Sequence, residues 1–161
     1  MQDINLVQYT LYYLIRSLCT EYTVKFGESQ PDRITGDTIF LYRSNVSNES
    51  LQLGLGISRY ISFIVEVFSQ NGVIHGDIVS IISDRFFNAG CIIYDYNPIS
   101  GKSNFPYDPP DSETANLDYT ETVYGWMDFI SCNSTDVLDE EIDRVIYSRS
   151  VIDFSVNYAK E

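Results

Sequence analysis

The feature that most constrains this fold is the strict alternation of residue types between Arg59 and Ser69. Every second position from Ile61 to Val67 is apolar, whereas the positions between them carry mixed side chains. Since successive side chains of a β-strand point to opposite faces, this run predicts a half-buried strand with one wholly apolar face. A sheet that contains this strand has to be covered on that face and can be open on the other.

Two segments have the periodicity of helices that can cover such a face. The first predicted helix spans Asp3–Cys19, with Asp3 as its N-cap; the second spans Asp77–Asn88, with Asp77 as its N-cap and Gly90 just after its end. The apolar stripe of the first helix consists of Ile4, Val7, Leu11, Leu14, Ile15 and Leu18. The predicted buried stripe of the second consists of Ile78, Ile81, Ile82, Phe86 and Phe87.

The remaining strand-like runs make α+β the predicted fold class. Further strands are predicted at Glu21–Phe26, Asp37–Arg43, Cys91–Tyr96 and Leu117–Ile130. Because few of these strands are separated by helices, we expect a single, mostly antiparallel sheet with both helices packed on one face. The 161 residues of the chain suit one domain.

Three segments are less determined by their patterns. Ser44–Gly56 is longer than a simple hairpin needs, so it is either a protruding loop or a long hairpin arm. The stretch from 97 to 116 carries four of the five prolines and predicts a long loop. Residues 131–161 are predicted to be an acidic C-terminal extension, with one or two helical turns at Asp136–Asp143. Val145–Tyr158 is then either a last strand or a peripheral tail.

The charge of the chain limits the partners it can bind. It has 10 basic and 23 acidic residues, a net charge of −13, and no Lys or Arg between Ser103 and Asp143. Binding to nucleic-acid phosphates or to anionic membranes requires a surplus of cationic side chains, so both are disfavoured. Neither a transmembrane segment nor a signal peptide is recognisable, and we expect a soluble intracellular protein. The widely spaced cysteines Cys19, Cys91 and Cys132 predict free thiols.

No motif in the chain predicts catalysis, a cofactor or a metal. His75 is the only histidine and has no nucleophile or second ligand at a recognised spacing. The pair Gly54 and Gly56 precedes a strand and lacks the third glycine of a dinucleotide-binding loop. The acidic run 136–143 lacks the residue order of an EF-hand. We therefore expect a binding or assembly component and not an enzyme.

The order of the elements and their local residue composition resemble those of the tail-terminator (tail-completion) proteins of long-tailed bacteriophages. The resemblance covers roughly residues 3–130. It begins with the helix INLVQYTLYYLIRSLC and the segment YTVKFGESQPDRITGDTIFLYRS. A long polar insertion and the strand RYISFIVEVFS follow. The helix DIVSIISDRFFNAG then leads directly into CIIYDYNP, and the Tyr/Trp-rich strand YTETVYGWMDF comes after a gap.

This resemblance implies a structural role in the virion. Such proteins form a hexameric ring on the head-proximal end of the tail tube, stop its polymerisation and present the surface that docks to the filled head. The implied partners are further copies of the chain, the tail tube protein and a head-completion or neck protein. DNA would pass through the ring without specific binding, and neither a cofactor nor a membrane is implied. Assembly would take place in the host cytoplasm.

Two sets of residues are candidates for that role. The arm at 44–56 is predicted to contact the tube or a neighbouring subunit, because three alternating leucines in a polar insertion have no evident core to join. Its predicted contact residues are Asn48, Glu49, Leu51, Leu53 and Leu55. An acidic face that would repel DNA phosphates in the lumen of the ring is predicted at Asp136, Asp139, Glu140 and Glu141.

Two other functions compete with this interpretation. An acidic protein can occupy the nucleic-acid groove of a host enzyme as a DNA mimic, and the net charge of −13 suits that role. A small hydrolase could use a pair of carboxylates, provided that the fold brings two of them together in a pocket.

Overall fold

The alternating strand at residues 59–69 lies inside a six-stranded sheet with two helices. The computed structural model describes residues 3–50, 57–98 and 117–160. Within them the helices are α1 (Asp3–Leu18) and α2 (Gly72–Asn88). The strands are β1 (Thr23–Phe26), β2 (Thr38–Ser50), β3 (Ile57–Ser69), β4 (Cys91–Pro98), β5 (Leu117–Ile142) and β6 (Val145–Lys160). A short 3₁₀ turn, Pro31–Arg33, precedes β2.

The strands are ordered β1-β2-β3-β6-β5-β4 across the sheet. Only β1 and β2 are parallel, and the four other pairs are antiparallel. The predicted α+β class with a mostly antiparallel sheet is confirmed. Of the two alternatives for the chain after Val145, the structure has the strand, and β6 lies in the middle of the sheet between β3 and β5.

Both helices pack on one face of the sheet, where the main hydrophobic core lies. The predicted apolar face of β3 is fully buried there, and α1 contributes Val7, Leu11 and Ile15 of its predicted stripe. From α2, the ring of Phe86 lies 4.5 Å from Phe154 on β6 and 4.5 Å from Phe129 on β5, measured between centroids. The core therefore joins the N-terminal helix to strands that lie far along the chain.

The start of α2 corrects the sequence prediction. The helix begins at Gly72 and not at Asp77, since the side chain of Asn71 caps it by accepting from the backbone N–H groups of Val73 and Ile74. The longer helix presents His75, Val79, Ile82 and Phe86 to the sheet. Ile81 and Phe87 were predicted to be buried, but they are 43% and 75% exposed.

The glycine after α2 has another role than the predicted one. The helix ends at Asn88, the following residue Ala89 is extended, and Gly90 is not left-handed. A Cβ atom at Gly90 would lie 2.3 Å from the backbone oxygen of Met127 on β5. The glycine is therefore explained by the close approach of two backbones and not by a helix cap.

The acidic stretch Asp136–Asp143 is not helical, which contradicts the sequence prediction. β5 continues to Ile142, and its second half pairs with β6 down to the pair Ile142–Val145. The turn between them consists of Asp143 and Arg144, both with positive φ (51° and 67°). Two successive left-handed residues form the type of two-residue turn whose twist matches a β-hairpin.

Candidate functional site

The insertion between the first two long strands forms an extended hairpin arm. Of the loop and the arm that the sequence allowed at 44–56, the structure has the arm, since β2 and β3 stay paired up to Ser50 and Ile57. The backbones of Asn48 and Glu49 pair with Arg59 and Ser58. The predicted contacts Leu51, Leu53 and Leu55 lie outside the described residues.

The predicted acidic face lies on the β5–β6 hairpin. Asp136, Asp139 and Glu141 are exposed, and Glu140 is half-buried beside Arg149, with 3.9 Å between its Oε2 and Nη1 of Arg149. The arm end of β3 pairs with the C-terminal end of β6 at Arg59–Tyr158, whereas Ser69 pairs with Ser148 near the β6 start. The two predicted contact sets therefore lie at opposite ends of the sheet.

The sheet has two stretches of strand edge that no described strand covers. On one side, β1 pairs only with Thr38–Leu41, so residues 42–50 of β2 have no described strand on their outer side. On the other side, β4 pairs only with residues 117–127 of β5. Among the described residues, the outer edge of β5 over 128–142 is likewise unpaired. Such edges present backbone N–H and C=O groups that can pair with another chain.

The lone histidine lies in a buried hydrogen-bonded chain. His75 is 6% exposed, with Nδ1 at 2.9 Å from Oγ of Ser69 and Nε2 at 2.7 Å from Oγ of Ser150. Tyr22 lies 2.6 Å from the Ser69 hydroxyl, and Ser150 donates to Asp136 at 2.7 Å. Burial lowers the pKa of His75, against the raising effect of Asp136, Asp139 and Asp37.

This chain of groups does not have the geometry of a catalytic triad. In a triad the carboxylate orients the imidazole and the serine faces the substrate. Here Asp136 accepts from the serine instead, and Ser150 is fully buried. The network ties the first turn of α2 to β3, β5 and β6, which is a structural role.

A second polar cluster lies on the other face of the sheet, and sequence reasoning missed it. The carboxylate of Glu66 is buried and accepts from the hydroxyls of Tyr42, at 2.7 Å, and Ser29. Arg149 lies 3.4 Å from the same carboxylate, with its guanidinium carbon 5.5 Å from the centroid of Phe68. Burial raises the pKa of Tyr42, and the neighbouring Glu66 carboxylate raises it further. Three donors surround Glu66, and its hydrogen bond with Ser29 holds the β1–β2 connection against this face.

The rest of the second face is a shallow depression lined by short polar side chains. Its cavity volume is about 320 Å³, and it crosses β2, β3, β6 and β5. Its polar lining consists of Ser44, Ser62, Ser131, Asn133, Asp153 and Ser155. The hydroxyls of Ser62 and Ser155 lie 3.0 Å apart. This part of the second face is open, whereas the β1–β2 connection covers the part around Glu66, where Ile34 packs with Phe40 and Phe68.

The cysteines and acidic residues do not assemble into a reactive centre. All three cysteines are free, and burial raises the pKa of Cys19 and of Cys91 to about 11, which keeps both thiols protonated at neutral pH. In the described part of the chain, no group of three or more His, Cys, Asp or Glu side chains is placed to hold a metal ion. No helix within the described ranges is long and apolar enough to cross a membrane.

No protein-family model matches this chain, and no curated protein sequence matches it significantly.

Proposed function

We propose that this protein is a structural component of a phage virion that caps the head-proximal end of the tail tube. In this role a ring of copies stops tube polymerisation and forms the surface that docks to the filled head. The observation that carries the proposal is the arrangement of the sheet: an extended hairpin arm at one end, an acidic hairpin at the other, and on both sides a stretch of strand edge that no described strand covers.

Each of these parts suits one task of a tube cap. Uncovered edges on opposite sides of one sheet allow head-to-tail contacts, which close into a ring when the rotation between copies closes. The arm offers a narrow element that can reach a tube subunit or a neighbouring copy. The acidic hairpin, if it lines the lumen, repels DNA phosphates, so that DNA passes without adhering.

The deciding experiment blocks production of the protein in an infected host and examines the lysate by negative-stain electron microscopy. Overlong tails without heads, beside filled heads without tails, are the expected result for a tail terminator. Tails of normal length that fail to join heads would assign the protein to the neck instead. Unaltered particles would refute a structural role in the virion.

Residue-level tests separate the arm from the acidic hairpin. Replacing Leu51, Leu53 and Leu55 by serine is expected to abolish capping and to leave the thermal stability of the monomer nearly unchanged. A large loss of stability would show that these leucines are core residues.

Reversing Asp139, Glu140 and Glu141 to lysine is expected to impair DNA ejection without changing tail length. Normal ejection by such virions would refute the lumen assignment.

The acidic DNA mimic stays the second candidate because of one observation, the exposed acidic side chains on the β5–β6 hairpin. A mimic would capture host DNA-binding proteins in a pull-down, and salt would release them. The triple lysine reversal would abolish that capture. A tail terminator would capture no host DNA-binding protein under the same conditions.

A further inference from the structure

Aliphatic side chains are exposed where the first turn of α2 meets the β5–β6 hairpin. In that turn, Val73 is 78% exposed and Ile74 is 47% exposed. On the hairpin, Leu138 is 90% exposed and Ile146 is 62% exposed. We call these four residues the hairpin patch.

The register of the sheet makes the four side chains neighbours. A Cβ atom at Gly72 would lie 3.5 Å from Oγ of Ser148, so the first turn of α2 lies beside the start of β6. Ile146 is two residues from Ser148 and therefore points to the same, helix-bearing face of the sheet. Leu138 lies in a bulge of β5 that is opposite Ser148. Single exposed aliphatic residues are ordinary, but a cluster of them indicates an interaction surface.

The stability of α2 does not account for the aliphatic residues of its first turn. The N-terminus of a helix favours acidic side chains, because their charge complements the partial positive charge there. The first turn of α2 contains no acidic residue, and its exposed positions are Val73 and Ile74. The part of the helix that packs on the sheet begins only with His75. An external contact therefore explains the two residues better than the helix itself does.

Acidic side chains surround the hairpin patch. Residues 70–84 contain two acids, residues 134–143 contain five, and neither segment contains a lysine or an arginine. Asp77 is exposed on α2, and Asp139 is exposed in the same bulge as the patch leucine. The turn of the hairpin contributes one base, Arg144. An apolar surface with this rim is complementary to apolar side chains that are flanked by lysine or arginine.

The acidic rim disfavours a second copy of the chain as the occupant. Two copies that met through the patch would place their carboxylates opposite one another, and each copy carries a net charge of −13. A lumen that repels DNA does not explain the patch either. Repulsion of phosphates requires the charges alone and gains nothing from exposed aliphatic side chains.

We propose that the hairpin patch is a docking surface for a basic amphipathic segment of a partner protein. The apolar side chains of the segment cover Val73, Ile74, Leu138 and Ile146, and its lysines or arginines lie against the acidic rim. This inference goes beyond the proposed capping of the tail tube and does not require it. In a tail cap, the tube protein or the neck protein would carry the segment.

The first test measures the binding of synthetic peptides to the purified full-length protein by fluorescence anisotropy. The probe is an amphipathic peptide of leucine and lysine at helical spacing. One control peptide has glutamate in place of each lysine, and the other has serine in place of each leucine. The probe is expected to bind at least about tenfold more tightly than either control, since docking needs both charge and apolar contact. Equal binding of the serine–lysine peptide, or no binding of the probe, would overturn the docking surface.

Serine variants of the protein locate the bound probe. Val73→Ser and Ile146→Ser are each expected to weaken its binding about fivefold, because each removes an apolar contact. Phe87→Ser is the matched control: Phe87 is 75% exposed, much like Val73, but it lies at the other end of α2. It is expected to leave binding unchanged. Wild-type binding by both patch variants, or an equal loss in Phe87→Ser, would refute the location.

NMR spectra of the full-length protein give an independent location. The amide signals of 72–76 and 138–148 are expected to shift when the probe is added, whereas those of 84–88 are expected to stay in place. Shifts spread evenly over all acidic segments would show attraction by charge alone and overturn the proposal. Self-association that Ile146→Ser abolishes would identify a second copy as the occupant and would overturn the choice of a basic partner.

The outcome can be separated from that of the proposed function. Tail length after depletion reports on tube capping, whereas the peptides and serine variants report on the hairpin patch. Failed peptide tests together with overlong tails would leave the tail cap intact and overturn the docking surface. Localised binding of the probe together with unaltered virions would leave the docking surface intact and overturn the role in the tail.

Discussion

The hydrogen-bonded chain around His75 predicts how the stability of this protein depends on pH. Both ring nitrogens are within hydrogen-bond distance of buried serine hydroxyls, and burial lowers the pKa of His75 in the folded protein. In the unfolded chain a histidine titrates near pH 6.5. Below that pH the unfolded state binds a proton that the folded state does not take up, so the free energy of unfolding falls as the pH falls.

The magnitude follows from the same groups. His75→Gln removes the titration and keeps at most one of the two hydrogen bonds. One lost hydrogen bond of about 1 kcal/mol, together with the imperfect fit of a flexible side chain, lowers the free energy of unfolding by about 1–3 kcal/mol at pH 8. Below pH 6.5 this advantage of the wild type shrinks by at most about 1.4 kcal/mol per pH unit, down to the pKa of the folded protein.

Urea unfolding between pH 5.5 and 8.5 measures both quantities. The fluorescence of Trp126, the only tryptophan, is a suitable signal because its side chain is 46% exposed and lies on β5. Asp136→Asn is a useful companion, since it removes a charge that favours the imidazolium and should steepen the dependence on pH. A difference between wild type and His75→Gln that stays constant over this range, or grows on acidification, would refute the reasoning.

Three further predictions concern stability. Arg144→Gly is expected to raise the free energy of unfolding by about 1 kcal/mol in urea titrations, because it relieves a left-handed arginine in the β5–β6 turn. Gly90→Ala is expected to lower it by about 1–3 kcal/mol, since the new Cβ meets the Met127 oxygen, whereas Gly76→Ala meets nothing and should not be destabilising. A double-mutant cycle of Glu66→Gln and Arg149→Met is expected to give a coupling energy of about 1 kcal/mol, and additive effects would show that the pair at 3.4 Å is not coupled.

The elements that the sequence predicted correctly are those whose periodicity comes from burial. The apolar face of β3 and the stripe of α1 face the core, so hydrophobic burial alone determines their patterns. The start of α2 was missed because Asn71 and Asp77 both suit an N-cap. Of the buried residues of α2, only His75 precedes Asp77, and its burial depends on contacts with the sheet that the local sequence does not show.

The polar parts of the fold were harder to predict because their partners are distant in sequence. The hydrogen-bond donors of Glu66 lie 37, 24 and 83 residues away in the sequence. The residues next to Glu66 in the chain do not indicate which donors these are. The acidic half of β5 lacks an apolar face and yet is a strand, since the backbone ladder with β6 holds it. A residue pattern indicates which side chains are buried, but it does not indicate which strand pairs with the segment.

The β5–β6 hairpin departs from the usual rules for strands in several ways at once. Its turn has Arg144 after Asp143, at the position where glycine is favoured, and its exposed side chains include Leu138 and Ile146. Left-handed non-glycine residues and exposed aliphatic side chains both cost stability or solubility when the protein is alone. When several departures from local rules occur in the same element, together they indicate a functional element more strongly than a single departure does. The hairpin is therefore where an assembly partner should reduce solvent exposure most, and exchange protection on assembly should begin there and not at the open serine-lined face.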